Sequence, residues 1–162
     1  MENSLKFIAD INVGKLGRYL RRLGFDTVLF DGGEDREMVK QALAEGRVIL
    51  TRDHHIARYG AAVKGRIKVI TFNTDSPEEQ LNQVVAALGL EEKAAPLTRC
   101  LECNLPLEPR SQAEVAERVP PYVLRTQKHY VECPGCRRIY WRGTHWRAMQ
   151  EQLSEIKPEA LP

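Results

Sequence analysis

Several features are scarce in this chain, and each scarcity removes a class of protein. No apolar run reaches the ~18 residues that a membrane span requires, so no membrane partner is expected. The opening MENSLKFIAD carries an acid and no extended apolar stretch, so no secretory leader is expected either. Charge of one sign is not in excess: the formal net charge is +2, too little for the whole-molecule field to demand nucleic acid or an acidic surface. Cysteine is missing before Cys100. No internal repeat is present beyond two C-x-x-C units. A cytoplasmic protein is the expectation.

What remains is a chain of 162 residues, 43% hydrophobic and 28% charged, the balance of a soluble globular protein. Its length suits one ordinary domain, or a compact domain plus a small one. From Leu5 to Gly89 short β-rich runs (LKFIA, TVLF, RVILT, IKVITF) alternate with helical stretches. In NVGKLGRYLRRLG, Val13, Leu16, Leu20 and Leu23 recur at helical spacing. EDREMVKQALAEG has an acidic first turn and a closing glycine, HHIARYGAAV reads as a short helix, and SPEEQLNQVVAALG has Ser-Pro at its start and Gly at its end. A βαβαβαβα order predicts an α/β fold with a parallel sheet covered by helices. EEKAAP, residues 91–96, reads as a linker.

Beyond the linker the pattern changes. Cys100 and Cys103 form one C-x2-C pair and Cys133 and Cys136 a second, separated by 29 residues. Two such knuckles supply four thiolates to one tetrahedral ion, the environment of structural Zn²⁺. A dithiol redox pair or a rubredoxin-like iron site is the alternative. A block this small commonly needs a metal or disulfides to hold a core. His145 reads as a packed residue rather than a further ligand. Arg125, Lys128, Arg137, Arg138, Arg142 and Arg147 interleave with Tyr130, Tyr140, Trp141 and Trp146, against Glu132 alone. That surface suits single-stranded nucleic acid; equally, the aromatics are a small core and the arginines its solvated face.

The first block carries acids at strand ends. Open parallel sheets bind ligands at the carboxyl ends of their strands. Asp10 ends the first strand and Asp53 the third, while Asp35 opens the helix after the second. Asp31 and, after the fourth strand, Asn73 and Asp75 lie at the same edge. Each alone reads as a helix cap. Together, Asp10, Asp35 and Asp53 predict an oxygen-ligand site for Mg²⁺ or Mn²⁺. His54 and His55 read as bystanders. Lys15, Arg18 and Arg22 share the polar face of the first helix; a solvated helix face would look the same, though beside an acidic metal site it could hold phosphates.

The stretches FIAD…LGRYLRRLGFDTVLF, EDREMVKQALAEGRVILTRDHHIARYG, C-x2-C-N-x-P-L, VPPYV and CPGCRRIYWRGTHW resemble the mut-seven C-terminal ribonuclease family over nearly the whole chain. The resemblance implies a PIN-like three-layer parallel-sheet nuclease domain over 1–93, a zinc ribbon over 94–148 and a polar tail over 149–162. It places the acidic metal ligands on Asp10, Asp35 and Asp53, with Asp75 or Asn73 a weaker fourth and Glu37 an alternative helical carboxylate. It also implies metal-dependent hydrolysis of RNA, single-stranded for preference, with zinc structural. Arg137, Arg138 and Arg142 of the ribbon would join Lys15, Arg18 and Arg22 in holding the strand. The competing function is a non-catalytic RNA- or ribosome-binding module on the same fold, and a toxin-like nuclease with a protein antitoxin stays open. A receiver-like phosphoacceptor is disfavoured, because an acidic pair after the first strand and a later lysine are both missing.

Overall fold

The computed structural model describes residues 5–143 together with Arg147 and Glu151. The expected tail over 149–162, apart from Glu151, lies outside the described residues, as do His145 and Trp146. Four strands, β1 (Lys6–Ala9), β2 (Asp26–Leu29), β3 (Arg47–Thr51) and β4 (Val69–Thr71), make a parallel sheet in the order β2-β1-β3-β4. All five residues of β3 are buried, as a strand covered on both faces must be.

Side chains along a strand alternate between faces, and the two cores follow that alternation. Phe7, Ala9, Val48 and Leu50 meet Leu16 and Leu20 of α1 (Gly14–Arg22) and Val84 and Val85 of α4 (Pro77–Leu88). Ile8 and Ile49 point the other way, onto Met38, Val39 and Ala42 of α2 (Asp35–Glu45) and Ala61 of α3 (Gly60–Val63). Helices therefore lie on both faces. The predicted punctuation is present: the Ser76 hydroxyl accepts from Glu79 N–H, Pro77 opens α4, and Gly46 and Gly89 close α2 and α4 with left-handed backbones.

Two expectations are revised. HHIARYGAAV is not one helix: a 3-10 turn over His54–Arg58 stops at the extended Tyr59 before α3 begins. The Asp53 side chain caps that turn, and the Tyr59 ring packs into the second core rather than continuing a helix. The EEKAAP stretch is no free linker. Ala95 N–H donates to Leu23 O (2.7 Å), and Ala94 packs on the first core. Gly24 makes this fit possible: a Cβ there would lie 2.3 Å from Ala95 O, and its φ of +93° suits glycine alone.

The cysteine block forms an antiparallel sheet of β5 (Glu108–Arg110), β6 (Tyr130–Glu132) and β7 (Ile139–Tyr140). Between β5 and β6, α5 (Gln112–Val115), α6 (Pro121–Thr126) and the turn joining them bury Val115, Val123 and Val119 against Tyr130. Tyr130 is thus core.

The two blocks join at the edge of β2. An edge strand presents unpaired N–H and C=O groups that need covering. Thr27 N–H donates to Asn104 Oδ1 (3.0 Å), and Thr27 O accepts from Arg21 Nε (2.9 Å). The same buried guanidinium donates to Leu101 O (2.7 Å), and Asn104 Nδ2 donates to Asp26 Oδ1 (2.8 Å). Asp26 also pairs with the buried Arg47 (2.9 Å). Burial alone would raise the Asp26 carboxyl; hydrogen bonds from Arg47 and Asn104 outweigh it and hold Asp26 below its usual range.

Asn104 has a φ of +62°, so glycine at this position removes the side chain without adding backbone strain. Asn104→Gly leaves Thr27 N–H unpaired, which is expected to cost about 1–3 kcal/mol. Thermal unfolding followed by circular dichroism should show the midpoint falling by roughly 2–4 °C per kcal/mol.

Candidate acidic site and cysteine cluster

The strand order reverses between β1 and β3: from β1 the chain moves to β2 on one side, and from β3 to β4 on the other. Ligands of open α/β sheets bind in the crevice outside the strand ends at such a point. Asp10 follows β1 and Asp53 follows β3 across it, and Asp35 begins α2. Asp10 is buried and Asp35 and Asp53 are half-buried.

Local hydrogen bonds hold two of these carboxylates. The fully buried Thr51 hydroxyl donates to Asp10 Oδ2 (2.7 Å), and its oxygen accepts from Asp53 N–H (2.9 Å). Asp10 Oδ1 accepts from Ile11 N–H (2.8 Å), and Asp53 Oδ1 accepts from His55 N–H (2.9 Å). Each aspartate is therefore a cap as well as a rim carboxylate, so the two readings of these residues coexist. Asn12 was not foreseen. Its Oδ1 accepts from Arg52 N–H (3.1 Å), and its Nδ2 makes a long 3.4 Å contact with Asp10 Oδ2. A polar residue two places after a strand-ending acid was the available signal.

Asp35 reports the company it keeps. Burial, then the charges of Asp53 and Asp10, push its carboxyl above the ordinary range; His55 acts weakly the other way. Like charges gathered in a partly dry crevice disfavour ionisation. Glu37 is exposed, with Oε2 close over Gly33. Asp31, Asn73 and Asp75 are exposed. Asp75 lines a groove with Ile11, Asn12, Lys15 and Arg18 beside the acids. Among the described residues, only the four cysteines bring three or more metal-ligating side chains within 4.8 Å of one another; the aspartates are neighbours but less closely gathered.

The cysteine knuckles repeat one design. Asn104 N–H donates to Cys100 O and Arg137 N–H to Cys133 O, both at 3.0 Å, and Asn104 and Arg137 both have positive φ. Cys103 N–H points at Cys100 Sγ (3.4 Å), and Gly135 and Cys136 N–H point at Cys133 Sγ (3.3 and 3.5 Å). Cys100 Sγ and Cys136 Sγ are 3.7 Å apart. That is far longer than a disulfide and matches the edge, about 3.8 Å, of a tetrahedron with Zn–S bonds near 2.3 Å. The four cysteines could hold a zinc ion. Burial opposes ionisation of Cys100, but hydrogen bonds from the Tyr140 hydroxyl and from backbone N–H groups bring its thiol down to about 7.

The basic residues are less uniform than their sequence spacing suggests. Arg18 pairs with Glu102 at 2.5 Å. Glu132, only 2% exposed, gathers Arg110, Arg118 and Arg137. Arg137 is thus partly engaged in holding the ribbon. Arg22 lies over the Tyr19 ring (5.6 Å), and Lys15 and Arg138 are exposed. Arg142 is also exposed.

Because Asn104 and Leu101 belong to the first knuckle and also cover β2, the cysteine cluster and the sheet edge are mechanically linked. The purified chain should contain stoichiometric zinc by atomic emission. Stripping it with a strong chelator, or Cys133→Ser, should lower the unfolding midpoint and promote association through the exposed β2 edge, read by light scattering.

No helix among the described residues is long and apolar enough to cross a membrane. No curated protein and no solved structure matches this chain. A family model described as the Mut7-C RNAse domain matches residues 5–153, which spans both the sheet with its acidic rim and the cysteine block. The chain belongs to the Mut7-C RNAse domain family, a ribonuclease-type domain.

Proposed function

We propose that the protein is a metal-dependent ribonuclease. Asp10, Asp35 and Asp53 would hold Mg²⁺ or Mn²⁺, with Asp75 an outlying contributor. The observation that carries this reading is the placement of Asp10 after β1, Asp53 after β3 and Asp35 at the start of α2, beside the switch in strand order; the neighbouring Asp53 and Asp10, after burial, push the Asp35 carboxyl up. Three acids converge at the switch point of a parallel sheet, and oxygen donors of this kind suit hard divalent cations. In this reading residues 1–93 form the PIN-like nuclease domain and 94–148 the zinc ribbon, acting in the cytoplasm on RNA.

A bound divalent ion would lower the pKa of a water and offset charge on the phosphodiester. The chain's own residues do the positioning. Thr51 holds the Asp10 carboxylate and the Asp53 backbone through one hydroxyl, so the two rim acids keep a fixed relation. Asn12 ties the segment after Asp10 to that after β3 through Arg52 N–H. Lys15, Arg18 and Arg22, with Arg137, Arg138 and Arg142 on the ribbon, would contact the phosphates of the strand.

Cleavage of a labelled single-stranded RNA should require Mn²⁺ or Mg²⁺. Asp53→Asn should reduce it by more than the roughly 10–100-fold that loss of an outer-shell partner costs, with the fold and zinc content kept. Thr51→Val should fall within that range. RNA bound but uncut under every metal condition would replace the nuclease with a binding module.

The sign of the Asp35 shift gives a second test. A carboxyl raised in the folded state destabilises the fold when ionised, and the penalty is relieved as pH falls through its raised pKa. At neutral pH without divalent ions, Asp35→Asn is expected to raise the melting temperature by a few degrees. The gain should fade toward acid pH, and Mn²⁺ should stabilise the parent more than the variant.

A further inference from the structure

A second concave surface lies away from the acids. Where α1 ends, its Arg22 meets the cysteine ribbon across a cleft of about 310 Å³. Leu101, Leu107 and Ile139 line it with the aromatic Tyr140 and Trp141. Tyr140 is fixed in place: its hydroxyl accepts from Leu101 N–H and contacts Cys100 Sγ, each at 3.2 Å. The volume is at the small end of the roughly 300–1,000 Å³ of ligand pockets, enough for one flat ring system and its sugar.

We propose that this cleft is a subsite for one unpaired nucleobase of an RNA strand whose backbone then runs along α1 to the acidic rim. The inference rests on the ribonuclease reading for the identity of the strand.

Charge complementarity selects this occupant. Lys15, Arg18 and Arg22 fall at i, i+3 and i+7 on α1, so they share one face. Lys15 and Arg22 are about 10 Å apart along the axis. At the far end Lys15 and Arg18 line the groove that contains Ile11 and Asn12, the residues directly after Asp10. Arg18 is partly neutralised by Glu102 and Lys15 lies near Glu78; the row still sets three cations against these two acids. An apolar, aromatic-walled cleft at one end of a basic row, with carboxylates at the other, matches a chain of flat apolar rings on an anionic backbone. Single-strand binders combine stacking faces with a positive track in this way. A duplex cannot offer the ring, so the subsite selects single strands.

The test uses the full zinc-loaded chain carrying Asp53→Asn, so that binding is read without turnover. Fluorescence anisotropy would follow a labelled oligouridylate of about 12 nucleotides, within the span such binders cover. An abasic oligomer of the same length and the uridylate paired with oligoadenylate would be compared with it. Trp141→Ala should weaken binding of the oligouridylate roughly 5- to 140-fold, the range for loss of one stacked base, and Trp141→Phe should restore most of it. The abasic and duplex probes should not respond to either change. Arg22→Ala should weaken binding of both single-stranded probes and lower the salt dependence by about one.

Trp141 also touches the small ribbon core, so if Trp141→Ala fails to fold, Trp141→Leu, which keeps the apolar contact and removes the stacking face, is read in its place. Oligouridylate affinity unchanged in a folded Trp141→Ala, or a loss on that change as large for the abasic and duplex probes as for the oligouridylate, would overturn the subsite. Absence of RNA cleavage by the parent protein, with these binding effects intact, would overturn only the nuclease reading.

Discussion

The covering of the β2 edge is the constraint on which the other features depend. Arg21 and Asn104 satisfy the outward N–H and C=O of Thr27. In doing so they bind the first cysteine knuckle to the β2 edge of the molecule's larger sheet. A four-stranded sheet would otherwise end in an open, pairing-competent edge. A buried arginine is tolerated there because its hydrogens go to three backbone carbonyls, of Thr27, Leu101 and Glu102, so desolvation is repaid by hydrogen bonds. The knuckle thereby both supplies two of the four cysteines that could hold zinc and seals the sheet.

From that join the arrangement of α1 follows. The helix starts beside Asp10, buries Leu16 and Leu20, and ends with Arg21 in the seal and Arg22 at the cleft. One helix therefore connects the acidic rim to the ribbon. Gly17 permits this close seating, since a Cβ there would meet Leu29 at 2.3 Å. The acids themselves are arranged by the sheet order. With β1 and β3 adjacent and their crossovers diverging, Asp10 and Asp53 face one crevice, and Thr51 ties them together.

The ribbon balances charge in a way that its residue list conceals. Glu132 stands nearly alone among arginines in the sequence, yet it is the buried centre on which Arg110, Arg118 and Arg137 converge. A carboxylate with so little exposure is stable only when paired and hydrogen-bonded. Part of the positive charge that suggests nucleic acid is thus committed to holding β5, β6 and the second knuckle together.

Much of this was legible in the sequence because it depends on local rules. The apolar runs mark the four parallel strands, Ser76-Pro77 and Gly89 bracket α4, and C-x2-C twice over specifies a sulfur cluster whatever surrounds it. The strand-end positions of Asp10 and Asp53 also followed from periodicity alone. Tertiary structure alone decided the rest. Asn12, Asn104 and Glu132 matter through partners 14 to 78 residues away, and no spacing rule reaches that far. The strand order placed Asp35 against Asp10 and Asp53 and left Glu37 over Gly33; it also turned a supposed linker into part of the core. Local chemistry wrote the elements and their ligands into the chain, while the pairing of distant backbone and carboxylate groups, each requiring a partner once buried, chose which of them meet.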